Sequence, residues 1–362
     1  MLQSDPCLAQ PVVVKPSGSE SFLNQFEVFL AELLLEFDAP ILDLAKHVVL
    51  SKGKRIRPLL CYHCGSDQVN ITSELLNACA ILELVHVATL VHDDIIDQSD
   101  VRRGDKTLHS FAGEHTSILL GDALFSFALE LASNFPTNRV CQIVAKATRL
   151  TCSGEIYQTT SRGNFSQSRD HYYKCIQDKT GELFKASCQL GALLGGHSEK
   201  DIGLVGDFGI QLGICYQLYD DLMDAFSSIT NIHKSTGNDV ESGKLTLPFL
   251  FLLENASSSE QLYLLDVFQN DTVLLNSGEI IKLFQKYTIS QGDLRQIYRI
   301  MDMLNKKGLD VTIDEAIRVY RNMPMYNQDM EIPIDQVSMI NQTAFPALSG
   351  RTNVLDSRGQ EL

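Results

Sequence analysis

The chain has 362 residues, 44% hydrophobic and 21% charged, which excludes wholesale disorder and allows one large domain or two ordinary ones. Thirty Lys and Arg against 45 Asp and Glu give a formal charge of −15, which argues against a nucleic-acid backbone as partner, because counterion release needs clustered cations. Nine cysteines, an odd number in otherwise helical text, fit a reducing compartment better than a disulfide scaffold.

Residues 1–19 carry Pro6, Pro11, Pro16 and Gly18 and read as an extended arm without a secretory signal. From Glu20 to Met323 the pattern is helical almost throughout. Phe22, Phe26, Phe29 and Leu33 recur at helical spacing. Cys61 and Cys64 form a CxxC with no second pair to complete a zinc site, and read as packed thiols. Ser73 reads as the cap of a long helix to Asp97 whose apolar residues lie on more than one face, as in the middle of a bundle. Further helices are expected at Leu108–Ser133, Thr137–Gln158, Ser168–Leu194 and Asp201–Ala225, then a dense apolar run at Leu247–Leu253. No clear period-two alternation bounded by hairpin turns appears, so no sheet is expected. No stretch reaches about 20 apolar residues without charge, so no membrane span is expected. Residues 324–362 turn to Pro, Asn, Gln and Ser and read as a tail. The expectation is one all-α bundle domain over 20–323 with two loose ends, in the cytoplasm.

Two acidic clusters stand out, Asp93-Asp94-Ile95-Ile96-Asp97 and Asp220-Asp221-Leu222-Met223-Asp224. Each places carboxylates at i and i+4, on one helical face. A solvated acidic face is the bland reading of either alone. Both, however, are embedded in apolar text, and such clusters need cations to be tolerable. Hard carboxylate oxygens suit magnesium, which keeps several waters and is typically shared with substrate phosphates. Cations beside glycines are equally local: Lys52-Gly53-Lys54-Arg55-Ile56-Arg57, Arg102-Arg103-Gly104, Lys179-Thr180, Lys234 and Gly243-Lys244. Any one reads as solubility. Their alternation with acidic clusters reads as a set of anion cradles. His86 and His92, at i and i+6, lie on different faces, which speaks against a zinc pair.

These residues, taken together, resemble the trans-isoprenyl diphosphate synthases, the polyprenyl synthetase family. The matching text is GKRIRP (Gly53–Pro58), ELVHVATLVHDDIID (Glu83–Asp97), RRG (Arg102–Gly104), LLGDALF (Leu119–Phe125), GEIYQ (Gly154–Gln158), KTGEL (Lys179–Leu183), GICYQLYDDLMD (Gly213–Asp224) and KSTGNDVESGKLTLP (Lys234–Pro248). Departures are modest: Gly181 for a usual Ala, Ser235 for Pro, and Asp105-Lys106 where a basic residue and Pro usually follow RRG. No family motif follows Pro248.

The resemblance implies an isoprenoid-synthase-type helical bundle around a deep central cavity, built as a homodimer. It implies head-to-tail condensation of an allylic diphosphate with isopentenyl diphosphate. Asp93 and Asp97 are then expected to hold two magnesium ions, and Asp220 with Asp224 a third. Arg102, Lys179, Thr180, Gln217, Lys234 and Lys244 are expected at the allylic diphosphate, and Lys54, Arg57, His86 and Arg103 at the isopentenyl diphosphate. In the family, bulky aromatics four and five residues before the first Asp close the cavity for farnesyl- or geranylgeranyl-length products. Here those positions are Thr89 and Ala88, too small to do so. At about 1.5 Å per residue the helix back to Ser73 gives roughly 30 Å of room. The floor is expected deeper, with Val85, Leu82 and the Phe125/Phe127 helix as candidates, and the product at about C30 or longer. A short-chain synthase, a class I terpene cyclase and a non-catalytic partner subunit are the alternatives. A cyclase needs no second diphosphate site, and an inert subunit need not keep both acidic clusters.

Overall fold

The computed structural model describes residues 18–65, 71–230, 243–269 and 283. Asp224 lies in a described helix but its side chain is outside the described set, as are Lys234, residues 1–17 of the arm and the whole 324–362 tail. Chain order gives α1 (Gly18–Leu33), a 3₁₀ turn (Leu34–Glu36), α2 (Ala39–Val49), α3 (Ile56–Gly65) and α4 (Ser73–Ile96). Strands β1 (Val101–Arg102) and β2 (Asp105–Lys106) come next, then α5 (Leu108–Ala112), α6 (Glu114–Ser133), α7 (Arg139–Thr160) and α8 (Arg169–Ile176). A π-helical segment (Gln177–Gly181) leads into α9 (Glu182–Leu194), α10 (Glu199–Thr230), α11 (Leu247–Asn255) and α12 (Ser258–Gln269).

The all-α expectation holds, with local differences that have physical causes. The cap of α4 is Thr72 rather than Ser73, its hydroxyl accepting from Leu75 N at 3.1 Å. The expected helix over 108–133 is broken at Gly113, whose φ of 87° no helix accommodates, into α5 and α6. Ser168 does cap α8, accepting from His171 N, but the helix expected to run on to Leu194 widens into the π segment. One minimal sheet exists where none was expected. β1 and β2 pair antiparallel, Val101 opposite Lys106, around a turn with positive φ at Arg103 and Gly104. The second acidic cluster lies inside α10 rather than at a helix end.

Helix α4 forms the middle of the bundle, burying residues all round from Leu75 to Val91. By length and composition α4 and α6 could each cross a membrane. Most of α4 is instead buried in protein, packed along α6 and flanked by α3 and α9. Helix α9 is buried on two faces: Leu183, Ala186 and Leu190 join the core of α1–α7, while Phe184, Cys188 and Ala192 join that of α8–α12. Cys61 and Cys64 are buried free thiols, Cys61 against Cys79 and Cys64 against Cys188, and these contacts with burial hold the Cys61 and Cys188 pKa values well above the ordinary range.

Candidate active site

The ends of α4 and α7, the π segment and the middle of α10 meet at one place. The π segment is what turns Lys179 and Thr180 into it. Its backbone packs so closely that a Cβ on Gly154 of α7 would lie 2.3 Å from Lys179 N, and one on Gly213 of α10 would lie 2.7 Å from the Gly181 Cα. Only glycine permits that approach on either side. Asp178, buried in the segment, is held by Lys174 Nζ at 2.6 Å to both carboxylate oxygens.

Lys179 Nζ donates to Gln158 Oε1 at 2.9 Å and pairs with Glu155, both on α7. Asp97, just past the end of α4, uses both oxygens: Arg162 Nη2 reaches Oδ1 at 2.6 Å and Lys244 Nζ reaches Oδ2 at 2.8 Å. Burial pushes the Asp97 pKa up, but Lys244, Lys179 and Arg162 outweigh it and hold it below the ordinary carboxylate value. Among the described residues Asp93 has no such direct partner. Burial, with Glu155 and Asp97 adding repulsion, raises it to about 6 against the opposing pull of Lys179 and Arg102. Two carboxylates four residues apart are thus held in different states by what surrounds them.

A polar chain runs from the π segment into α10. The Thr180 hydroxyl donates to Gln217 Oε1 at 2.8 Å, Gln217 Nε2 donates to Asp221 Oδ1 at 2.8 Å, and the Tyr172 hydroxyl donates to Asp221 Oδ2 at 2.6 Å. Burial raises Asp221 to about 6 despite those two bonds. Asp221 therefore fixes which way the Gln217 amide points, while its neighbour Asp220 is exposed.

Beyond α4 lies a cleft of about 420 Å³ lined by Lys54, Arg57, Glu83, His86, Arg103 and Tyr216, among others. Arg57 stacks over the Phe184 ring at 4.9 Å, and its buried Nε has no hydrogen-bond partner. Burial lowers its pKa to about 10, while the charges of Glu83 and Asp220 oppose that fall. His86 is held well below its ordinary value by burial and then by Arg57, Arg103 and Arg102, so it is a neutral imidazole. Lys54 is exposed at the cleft, and Arg103 is anchored by Nη1 on the Lys52 carbonyl at 2.6 Å. A cleft lined by five Lys and Arg side chains against one carboxylate, with an orphan guanidinium N–H, is built to take an anion.

Lys54, Arg57, His86 and Arg103, four of the residues expected to act together, line this one cleft. Asp97 with Lys244, Thr180 with Gln217, and Lys179 within the field of Asp93 and Asp97 form a second group around the end of α4. Arg102 instead pairs through Nε with Asp94 at 2.7 Å. His92 turns to α6, its Nε2 3.2 Å from the Ile118 carbonyl. Val85 and Ala88 are fully buried, whereas Thr89 is half-buried and donates its hydroxyl to the His86 carbonyl at 2.7 Å. Sequence reasoning missed the roles of Glu155 and Gln158, although their i, i+3 spacing within GEIYQ was visible. It missed Arg162 and Tyr172 outright, and nothing in their local sequence marks them.

Among the described residues, no three His, Cys, Asp or Glu side chains form a group able to hold a metal ion. Magnesium is commonly completed by water and substrate phosphate rather than by an all-protein cage. The donor set fits that case: hard carboxylate oxygens, with Asp93 raised by burial and by two neighbouring acids.

The polyprenyl synthetase family model matches residues 38–288. The chain belongs to the polyprenyl synthetase family. Its members form the prenyltransferase class of enzymes that make polyprenyl diphosphates. The octaprenyl diphosphate synthase of Haemophilus influenzae is 31% identical over 227 residues, 62% of this chain and 69% of that protein. The heptaprenyl diphosphate synthase component 2 of Bacillus subtilis is 33% identical over 250 residues, 68% of this chain and 72% of that protein. The geranylgeranyl pyrophosphate synthase structure from Lactobacillus brevis superposes with a TM-score of 0.71 at 27% identity, covering 83% of this chain and 96% of that one. Long- and short-chain synthases thus both stand among the polyprenyl synthetases it resembles.

Proposed function

We propose that this polyprenyl synthetase condenses isopentenyl diphosphate head-to-tail with an allylic diphosphate, giving an all-trans polyprenyl diphosphate of about C30 or longer. The observation that carries this reading is a cationic cleft on one side and a second group of cations, Lys179, Arg162 and Lys244, around the acidic end of α4. One is the cleft of Lys54, Arg57, His86 and Arg103, assigned to isopentenyl diphosphate. The other is the Asp93/Asp97 site, assigned to the allylic diphosphate with Arg102, Lys179, Thr180, Gln217, Lys234 and Lys244. Asp93, Asp97, Asp220 and Asp224 would hold magnesium, about three ions, which when bound neutralises charge on the departing diphosphate.

The chain's own groups do the rest. Lys179 leaves Glu155 and Gln158 for the allylic diphosphate, and Lys244 and Arg162 turn from Asp97 toward the same anion. Once turned to the bound diphosphate, these cations stabilise the charge that develops on the leaving group. The oxygens of Thr180 and Gln217, held in the chain to Asp221, can stabilise an allylic cation without trapping it. Arg57 and Lys54 hold the second diphosphate so that its alkene meets the cation, a proximity effect. Neutral thiols suit such a site, and burial raises Cys152, whose thiol also feels the Asp93 charge.

Small Ala88 and Thr89 below Asp93 support the longer product. Exposed Ile118, Leu119 and Leu129 on α6, with Ile156 and Tyr157 on α7, support a homodimer. The catalytic domain is assigned to 20–323, and free thiols to a cytoplasmic setting. Pure protein incubated with magnesium, labelled isopentenyl diphosphate and allylic primers tests the reading. Longer labelled diphosphates are expected. Hydrocarbon from primer alone would make it a cyclase, and no product would make it an inert subunit.

A further inference from the structure

Of the four cations between Lys52 and Arg57, all of which line the cleft, Arg55 is the one buried in its wall, at 6% exposed. Its φ of 49° is left-handed, a conformation with a steric cost for a residue bearing a Cβ, kept only where the surroundings impose it. Those surroundings are specific. Nε and Nη2 reach the two Glu27 oxygens on α1 at 2.7 and 3.2 Å, Nη1 reaches Glu83 Oε1 on α4 at 2.6 Å, and Nη2 reaches the Val49 carbonyl at the end of α2 at 2.9 Å. One guanidinium therefore ties three helices to the turn that carries Lys54 and leads into Arg57 at the start of α3.

Glu83 is the puzzling member. It is 4% exposed, yet it forms part of the wall of a cleft otherwise suited to an anion. Its charge also acts on Arg57, whose Nε is unpartnered. Without Arg55 a buried carboxylate would stand uncompensated beside the diphosphate position, with Arg57 the nearby cation free to answer it. Glu83 would then both repel the incoming anion and draw its main bidentate contact away.

We propose that Arg55 is a positioning residue for isopentenyl diphosphate. It neutralises Glu83, reserving Arg57 for the substrate, and pins the Lys52–Arg57 turn against α1 and α4. This rests on the assignment of that cleft to isopentenyl diphosphate.

Steady-state titration of both substrates on the full chain with Arg55→Met, Arg55→Lys and Arg55→Met/Glu83→Gln tests it. Arg55→Met should raise KM for isopentenyl diphosphate about tenfold, a step worth about 1.4 kcal/mol, with kcat and the allylic KM within about twofold. The double variant, which removes the stranded carboxylate, should recover most of that loss, and it is the variant to read if Arg55→Met alone does not fold. Arg55→Lys should fall between, because lysine supplies charge but not the fork. A merely structural salt bridge predicts instead a lower melting temperature with no selective KM change and no recovery on adding Glu83→Gln, and that result overturns the proposal. Lys54→Ala separates the two readings. Unchanged KM for isopentenyl diphosphate in Lys54→Ala removes the cleft assignment itself. A raised KM there, with no effect of Arg55→Met, removes only the role of Arg55.

Discussion

Asp93 and Asp97 carry the same side chain one helical turn apart and behave differently. Asp97 is paired twice, with Arg162 and Lys244. Asp93 is buried beside Glu155 and Asp97 and raised to about 6. A carboxyl raised in the folded state contributes stability below its unfolded pKa, which is lost as pH rises through about 6. The same ionisation that destabilises the metal-free protein creates the ligand a divalent cation needs. The gain in Tm from added magnesium is therefore expected to be small at pH 5 and to grow through pH 7, and Asp93→Asn should abolish that growth. Calorimetry with and without magnesium reads it directly, and a pH-independent gain would remove Asp93 from the metal site. Turnover should fall at least about 100-fold in Asp93→Ala or Asp220→Ala, the range seen when electrostatic stabilisation is lost, while far-ultraviolet circular dichroism is unchanged.

The long helices were legible because their burial is periodic or, in α4, continuous. What escaped was geometry that leaves the pattern of residue types untouched. The π segment at Gln177–Gly181 inserts a wider turn without disturbing the apolar spacing, and Lys174 with Asp178 looks like any i, i+4 pair. Two-residue strands are too short for alternation to register, so the Val101–Lys106 hairpin was invisible. Four cations between Lys52 and Arg57 were visible, but not that Arg55 is the buried one, because its carboxylate partners, Glu27 and Glu83, are each 28 residues away. At this scale α4 also carries the proposal on product length. On the face below Asp93 the small Ala88 is fully buried and Thr89 half-buried, and Ala88→Phe adds a ring there. Chromatography of products is expected to show Ala88→Phe stopping several isoprene units short of wild type. A wild-type enzyme that stops at farnesyl diphosphate with excess isopentenyl diphosphate would contradict the cavity argument and leave the family membership standing.

At the scale of the whole molecule, α6 and α7 leave several large apolar side chains exposed. Leu119 is 68% exposed, with Ile118, Leu129 and Ile156 also exposed, more than isolated surface residues require. In the proposed homodimer a second copy of the chain would cover these side chains through isologous contacts. Light scattering should give twice the chain mass for wild type and the monomer mass for Leu119→Glu; a monomeric wild type would contradict the arrangement. The central claim, though, is that two diphosphates are held by two different sets of cations meeting at the end of α4. Initial rates measured over a matrix of both substrates test it most directly. Lys54→Ala should raise KM for isopentenyl diphosphate about tenfold or more, as loss of a charged hydrogen bond does, with the allylic KM within about twofold. Lys179→Ala should do the reverse. If both variants shift both substrates alike, the two sets of cations serve one anion and the account is wrong.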